Sequence, residues 1–280
     1  MSNNNLKRVA VITGSSRGIG KAIAKELTKN NYSILLNARG ENELIEAVQE
    51  IRNEVNDPNQ IAYLTGDISD EKICISLMEE AMKRFGRINV LINNAGISGP
   101  SERTNKITSV DWDYVIGVNL RGAFLCTREA LKYMLNSHNN TTDSNINSNN
   151  KNYDSDTNFS IINISSVHES IPQPYSAPYA ASKGGMEMLT KNIALEVTDK
   201  GIRVNGIAPG AIDTAMNKDI MEDPQKKKQE EEKIPMKRIG RPEEIVKVVF
   251  FLTSNDASYI RNDSLCRWRT ISAVRGLKFT

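Results

Sequence analysis

Short runs of aliphatic and β-branched residues alternate along this chain with longer segments whose apolar positions recur every three to four residues. Uninterrupted apolar runs predict strands buried on both faces, as in a parallel sheet, whereas the three-to-four spacing predicts helices with one apolar stripe. The first pair sets the pattern. A strand over residues 8–12 stops at Thr13-Gly14, and a helix over 19–29 places Ile19, Ala22, Ile23 and Leu27 on one face. The same reading predicts strands over 33–36, 61–65, 89–92, 160–164 and 203–207, and helices over 41–55, 71–85, 110–135 and 179–198. Repeated strand-helix units predict an α/β fold: one doubly wound parallel sheet, helices on both faces, right-handed crossovers.

Two segments depart from this pattern. Residues 137–158 are rich in asparagine, with Ile146 and Tyr153 the only sizeable apolar side chains, too few to bury the surface that ordering requires. This stretch is expected to be a disordered insertion loop joining the fourth long helix to the next strand. Residues 261–280 carry neither a helical nor a strand pattern. The predicted organisation is therefore a single domain over 1–260, interrupted by that loop and followed by an irregular tail.

Composition narrows the function classes. The chain has 280 residues, 39% of them hydrophobic and 25% charged, enough apolar material for one large core. Its net charge of +2 offers no broad basic surface for nucleic acid. Cys74, Cys126 and Cys266 match neither a metal-binding spacing nor a disulfide framework, which fits a reducing cytoplasm and no metal centre. The apolar run at the N-terminus is too short for a signal peptide or a membrane span, so a cytoplasmic protein without membrane partners is expected.

The chemistry begins at the first strand-to-helix turn. Thr13-Gly14-Ser15-Ser16-Arg17-Gly18-Ile19-Gly20 supplies three glycines where backbone amides must approach a pyrophosphate at a helix N-terminus. Farther on, Asn93-Asn94-Ala95-Gly96 ends the fourth strand, Asn119 falls in a helix, Ser165-Ser166 ends the fifth strand, and Tyr179-Ala180-Ala181-Ser182-Lys183 opens a helix. Helical spacing puts Tyr179 and Lys183 on one face, where an ammonium beside a phenol favours the phenolate. A phenol ordinarily titrates near pH 10, about three units too high for neutral acid–base work, so that field matters. Taken alone, Asn119 reads as a helix-kink or capping residue.

Together, in this order and spacing, these motifs resemble the short-chain dehydrogenase/reductase family, over about residues 8–260 apart from the asparagine-rich loop. The resemblance implies a Rossmann-like fold and hydride transfer between a nicotinamide cofactor and an alcohol or carbonyl. It implies a catalytic tetrad of Asn119, Ser166, Tyr179 and Lys183. Tyr179 would exchange the proton, Ser166 would bond the substrate oxygen, Lys183 would also hold the nicotinamide ribose, and Asn119 would hold a water of the proton relay. For the cofactor it implies Gly14, Ser16, Arg17, Gly18, Ile19, Gly20, Asp67, Ile68, Asn93, Ala95, Gly96, Tyr179, Lys183, Pro209, Gly210, Ile212 and Thr214.

The second strand ends in Asn37-Ala38-Arg39, without the acidic residue that would bind a ribose 2′-hydroxyl and repel a 2′-phosphate. NADP is the expected cofactor, with NAD use left open. Arg39 and Arg17 could pair with the phosphate, and either could equally be a solvated surface residue.

For substrate, the strings around Ser166, His168, Glu169 and residues 234–244 look most like the glucose 1-dehydrogenase branch of the family. Substrate contacts are expected at Ser166, His168 and Tyr179. His168 could bond a sugar hydroxyl or simply pack against the substrate loop. A 3-oxoacyl-carrier-protein reductase is the rival activity.

The family also implies a homotetramer and a final strand near T-G-x-x-x-x-V-D-G-G, which residues 261–280 do not contain. Codons permitted for this tail, read one base later, spell Gly-Thr-Thr-Leu-Phe-Val-Asp-Gly-Gly. A frameshift near Ile260, in the gene or its sequencing, is the expected cause, and a divergent tail the alternative. A chain lacking that strand would expose a sheet edge and could be an inactive cofactor-binding remnant.

Overall fold

The apolar runs pair into a single parallel sheet in the order β3-β2-β1-β4-β5-β6. The computed structural model describes residues 7–144 and 158–260. The strands are β1 (Val9–Thr13), β2 (Ser33–Ala38), β3 (Ile61–Thr65), β4 (Val90–Asn93), β5 (Phe159–Ile164) and β6 (Ile202–Ile207). Their ends lie within two residues of the sequence expectation. Registers run Val11↔Leu35 between β1 and β2, Val11↔Leu91 between β1 and β4, and Asn93↔Asn163 between β4 and β5.

The helices are α1 (Gly18–Lys29), α2 (Glu41–Arg52), α3 (Glu71–Phe85), α4 (Ser109–Ile116), α5 (Ala123–Ser144), α6 (Ala177–Val197), α7 (Lys218–Met221), α8 (Pro224–Lys233) and α9 (Pro242–Thr253). Two core layers result from the alternation of strand side chains. Ala10, Ile12, Ile34 and Leu36 face Ile23, Leu27, Leu44, Val249 and Leu252, while Val11, Leu35 and Leu91 face Leu77, Met78, Cys126, Met134 and Ile193. Each fully buried aliphatic side chain contributes about 2 kcal/mol.

Local signals set the helix ends. Asp70 caps α3 by accepting from the Lys72 amide, and Gly86 closes it with φ 74°. The expected single helix over 110–135 is instead divided: α4 and α5 are joined by a π-helical turn over Gly117–Gly122. α5 then runs to Ser144, past the residue at which the loop was expected to begin. Once a helix is formed, each added residue gains a backbone hydrogen bond, and polar side chains weaken that gain without abolishing it. The rest of the asparagine-rich stretch up to Thr157, and the expected frameshifted tail, lie outside the described residues. Among the described residues, no helix is long and apolar enough to cross a membrane.

At the end of the sheet away from the glycine turn, two guanidiniums hold the chain where it re-enters β5. Arg8 donates to the Asn158 carbonyl at 2.8 Å and Arg203 to its Oδ1 at 2.9 Å. Arg8 and Arg203 also reach the carbonyls of Thr253 and Leu252, both at 2.6 Å, so the end of α9 is fixed to the same point.

Candidate active site

The glycine turn, the Asn94-Ala95-Gly96 turn and Ser165-Ser166 follow the carboxyl ends of β1, β4 and β5, where β1 and β4 feed helices of opposite faces and a crevice opens between them. Gly14 has φ 63°, and a Cβ there would lie 2.6 Å from the Ala95 Cα. Only glycine allows the β1 and β4 turns to approach so closely. A Cβ at Gly20 would meet Asn94 Nδ2 at 2.4 Å. Asn94 uses that nitrogen to donate to the Thr13 and Gly14 carbonyls at 3.0 and 2.8 Å, while Thr13 Oγ1 accepts from the Asn94 and Ala95 amides at 3.1 Å. The two turns are thus one rigid unit.

From this unit a cleft of ≈ 900 Å³ runs in both directions. Its outer end is walled by Ser16, Arg17, Arg39, Glu43, Asp67 and Ile68, and its inner end by Gly96, Ser166, Tyr179 and Lys183. Gly14, Gly18, Ile19, Ala95, Pro209, Gly210, Ile212 and Thr214 line the stretch between. The loop after β6 is held in place by hydrogen bonds between Ala211, Asp213 and Gly240, which bring Thr214 to within 3.4 Å of a Cβ built at Gly18. Close-approach glycines and a long crevice beside a helix N-terminus are what a dinucleotide requires, so the residues present fit that group.

At the inner end, α6 carries Tyr179 and Lys183 one turn apart. Burial pushes the Tyr179 phenol above its ordinary pKa, and a hydrogen bond with Ser166 partly offsets this. Lys183 Nζ donates to the Ile164 carbonyl at 3.0 Å and lies 5.7 Å from the centre of the Tyr179 ring. Burial lowers its pKa from 10.5 to about 8, with the Glu169 charge opposing that shift. The ammonium therefore faces the ring and is tied to the end of β5. Ser166 Oγ accepts from the His168 amide at 3.2 Å, which directs the hydroxyl toward the cleft end of β5.

Asn119 sits fully buried in the π-helical turn. It accepts from the Ile97 amide at 2.8 Å, donates to the Ile97 carbonyl at 2.9 Å, and donates to Ser182 Oγ at 3.0 Å. The extra residue of a π turn is what lets one side chain reach both the β4 loop and α6. The His168 ring stands edge-on to Tyr179 at 6.2 Å, with Nδ1 3.0 Å from the Ile171 carbonyl.

Not every predicted residue reaches the cleft. The Asn93 side chain turns to the face covered by α5 and α6, donating to Asn163 Oδ1 at 2.8 Å and Thr127 Oγ1 at 2.9 Å, and Asn163 passes the ladder on to Thr190 at 2.8 Å. Its neighbour Asn94 lines the cleft in its place. This placement follows from strand geometry: successive side chains alternate, and Asn93 is the last residue of β4, paired in register with Asn163. Gly20, Asn119 and His168 stand behind or beside the lining surface. Glu43 and Tyr114 line it and were not predicted. The Asn94 position was available in the Asn93-Asn94 pair, whereas no sequence signal brings Tyr114 across from α4.

Residues 8–225 match the family described as short chain dehydrogenase. The chain is 36% identical to glucose 1-dehydrogenase 2 of Bacillus subtilis, covering 92% of each chain. It is also 36% identical to 3beta-hydroxysteroid dehydrogenase 1 of Eggerthella lenta, over 92% of this chain and 91% of that one. Among solved structures, a gluconate 5-dehydrogenase from Burkholderia cenocepacia in complex with NADP and tartrate superposes with a TM-score of 0.79 at 28% identity, covering 92% of each chain.

Proposed function

The chain belongs to the short-chain dehydrogenase family and is an NAD(P)-dependent oxidoreductase acting on CH–OH donors; from that premise we propose that it uses NADP, with NAD as a second cofactor, on a sugar of the glucose class. The observation that carries the reading is the convergence of Ser166, Tyr179 and Lys183 at one end of a cleft whose middle is the Gly14–Ala95 turn unit. The nicotinamide supplies the hydride acceptor or donor when bound.

This chain's residues do the rest. Tyr179 takes the hydroxyl proton of an alcohol, or gives one to a carbonyl, at the substrate oxygen. Ser166 bonds the same oxygen and, through its bond to Tyr179, favours the phenolate. Lys183 places a buried positive charge behind the tyrosine ring and reaches a ribose from beside Gly96, where a Cβ would come 3.6 Å from Nζ. Asn119 holds the Ile97 backbone and Ser182, and so supports the relay on the buried side of Lys183. At the outer end, Arg17 and Arg39 receive the 2′-phosphate, and Asp67 and Ile68 the adenine.

The sugar reading is supported by likeness to the glucose and gluconate enzymes, and by His168 beside Tyr179 as a bonding or packing wall. We place the protein in the cytoplasm as a homotetramer, a reading that the exposed Phe124 of α5 and the exposed Met188 and Leu195 of α6 support. The test is turnover by the purified chain, followed by the absorbance of reduced nicotinamide. Glucose with NADP should react, and glucose inert while a 3β-hydroxysteroid or a 3-oxoacyl thioester turns over would replace the sugar reading. NADPH raising the melting temperature with no turnover on any of these would favour a cofactor-binding remnant.

A further inference from the structure

At the outer end of the cleft, two arginines stand close to the start of α2, and this chain already engages both of them. Arg39 donates to the Tyr114 hydroxyl, which donates in turn to Asp67 Oδ2 at 3.3 Å, and its guanidinium carbon lies 5.9 Å from the Tyr114 ring centre. Arg17 faces a full negative charge instead: Glu43 Oε1 lies 3.8 Å from its guanidinium. Glu43 is the third residue of α2 and bends back over the helix start, where a Cβ at Gly40 would be 3.0 Å from Glu43 Oε2. Gly40 is the N-cap and has no side chain to answer the first-turn amides. Glu43 therefore puts a carboxylate on the cleft wall beside the Arg17 guanidinium and the start of α2, groups that would otherwise attract a phosphate.

We propose that Glu43 is the specificity-determining residue for the 2′ position of the cofactor. It answers Arg17 when no 2′-phosphate is present and repels that phosphate when it enters. The inference rests on the reading of this same cleft as the site of NADP. A ribose phosphate monoester carries close to two negative charges near neutral pH, so it and Glu43 compete for Arg17. The Arg17 and Glu43 side chains are 68% and 60% exposed, and an exposed ion pair is weak enough for a phosphate to displace. The preference for NADP is then graded, and NAD, which brings no phosphate to this corner, is untouched by Glu43. The second strand's lack of an acidic residue does not by itself set the cofactor: the repelling carboxylate is supplied from the first turn of α2.

The experiment is calorimetric titration of the full chain and its Glu43→Gln variant with adenosine 2′,5′-bisphosphate and with 5′-AMP, which differ only in the 2′-phosphate. Glu43→Gln should tighten the bisphosphate about 3- to 10-fold, the scale of one nearby charge screened by solvent, and leave 5′-AMP within about twofold. Glu43→Ala, matched to the parent by circular dichroism, provides the same comparison without a side chain able to bond Arg17. Equal effects on both ligands, no effect on either, or weaker bisphosphate binding would overturn the proposal. If the parent chain favours the bisphosphate and both variants leave its affinity unchanged, the NADP reading stands and the role of Glu43 falls. If the parent shows no such preference and the variants gain one, Glu43 is the discriminator and the NADP reading falls.

Discussion

The Asn119 amide donates to the Ser182 hydroxyl at 3.0 Å, and Ser182 donates in turn to the Tyr179 carbonyl at 2.7 Å. Through these two bonds the π-helical turn is fastened to the first turns of α6, the helix that carries Tyr179 and Lys183. Removing Asn119 should therefore disturb chemistry and stability together. Asn119→Ala is expected to cost about 1–3 kcal/mol in chemical denaturation, because the Ile97 amide and carbonyl lose their partner. Its kcat should fall about 10- to 100-fold. Unchanged kcat in a destabilised variant would reduce Asn119 to a scaffold residue.

Tyr179→Phe removes the hydroxyl proposed to exchange the substrate proton and leaves the ring against Lys183. Turnover should drop about 100- to 10,000-fold while the affinity for NADPH, read by quenching of intrinsic fluorescence, stays within a few-fold. Retained turnover would falsify the tyrosine's assignment.

Ser166 is the group whose hydrogen bond opposes the upward push of burial on the Tyr179 phenol. In Ser166→Ala that opposition is lost, so the tyrosine's pKa rises further and less phenolate exists at a given pH. In the alcohol-oxidising direction, the rising limb of kcat/KM against pH should shift toward higher pH, together with a lower plateau. A lower plateau with the limb unmoved would assign Ser166 to the substrate oxygen alone.

Lys183 makes the cofactor-free fold sensitive to alkaline pH in a direction opposite to most lysines. Its folded pKa of about 8 lies below the ordinary 10.5, so between these values the unfolded chain binds the extra proton and the folded chain does not. Stability contributed by this site must then rise with pH through that window, at up to about 1.4 kcal/mol per unit. Melting curves taken from pH 8 to 9.5 should show the parent gaining on Lys183→Met. A parent that loses ground on the variant over that range would contradict the lysine's burial.

Gly14→Ala meets two obstacles at once, a φ of 63° and a backbone atom 2.6 Å from the new methyl. The variant should lose at least about 2 kcal/mol of stability, and its affinity for NADPH should collapse because the β1 and β4 turns separate. Melting temperature and cofactor titration on the same sample check both.

Much of this architecture was legible because strands buried on both faces leave continuous apolar runs. Val9–Thr13 and Ser33–Ala38 read as strands, and Glu71–Phe85 as a helix, within a residue or two of their final ends. The site's frame was legible for the same local reason, since glycine turns and the Tyr179–Lys183 spacing need no knowledge of distant contacts. What escaped depends on neighbours far along the chain. The π turn at Gly117–Gly122 has no local signature, because its extra residue is selected by what Asn119 reaches. Asn93 and Asn94 share a side-chain type, and only the register with Asn163 decides which one turns inward. The carboxylate against Arg17 belongs to another helix, so a reading of the second strand's end alone could not include it.

The sheet order reverses direction between β1 and β4, which divides the cleft by position in the chain. At the outer end, Ser16, Arg17, Arg39, Glu43, Asp67 and Ile68 all precede Glu71, while Ser166, Tyr179, Lys183 and the loop over Ile212 and Thr214 all follow β4. The two halves are sequential blocks that meet along the β1–β4 seam. A crossover placed between Phe85 and Val90 would join one relative's cofactor preference to another's substrate range, provided that the Gly14–Ala95 contact across the seam came from compatible parents. Recombination between family members could thus trade coenzymes without redesigning the catalytic end.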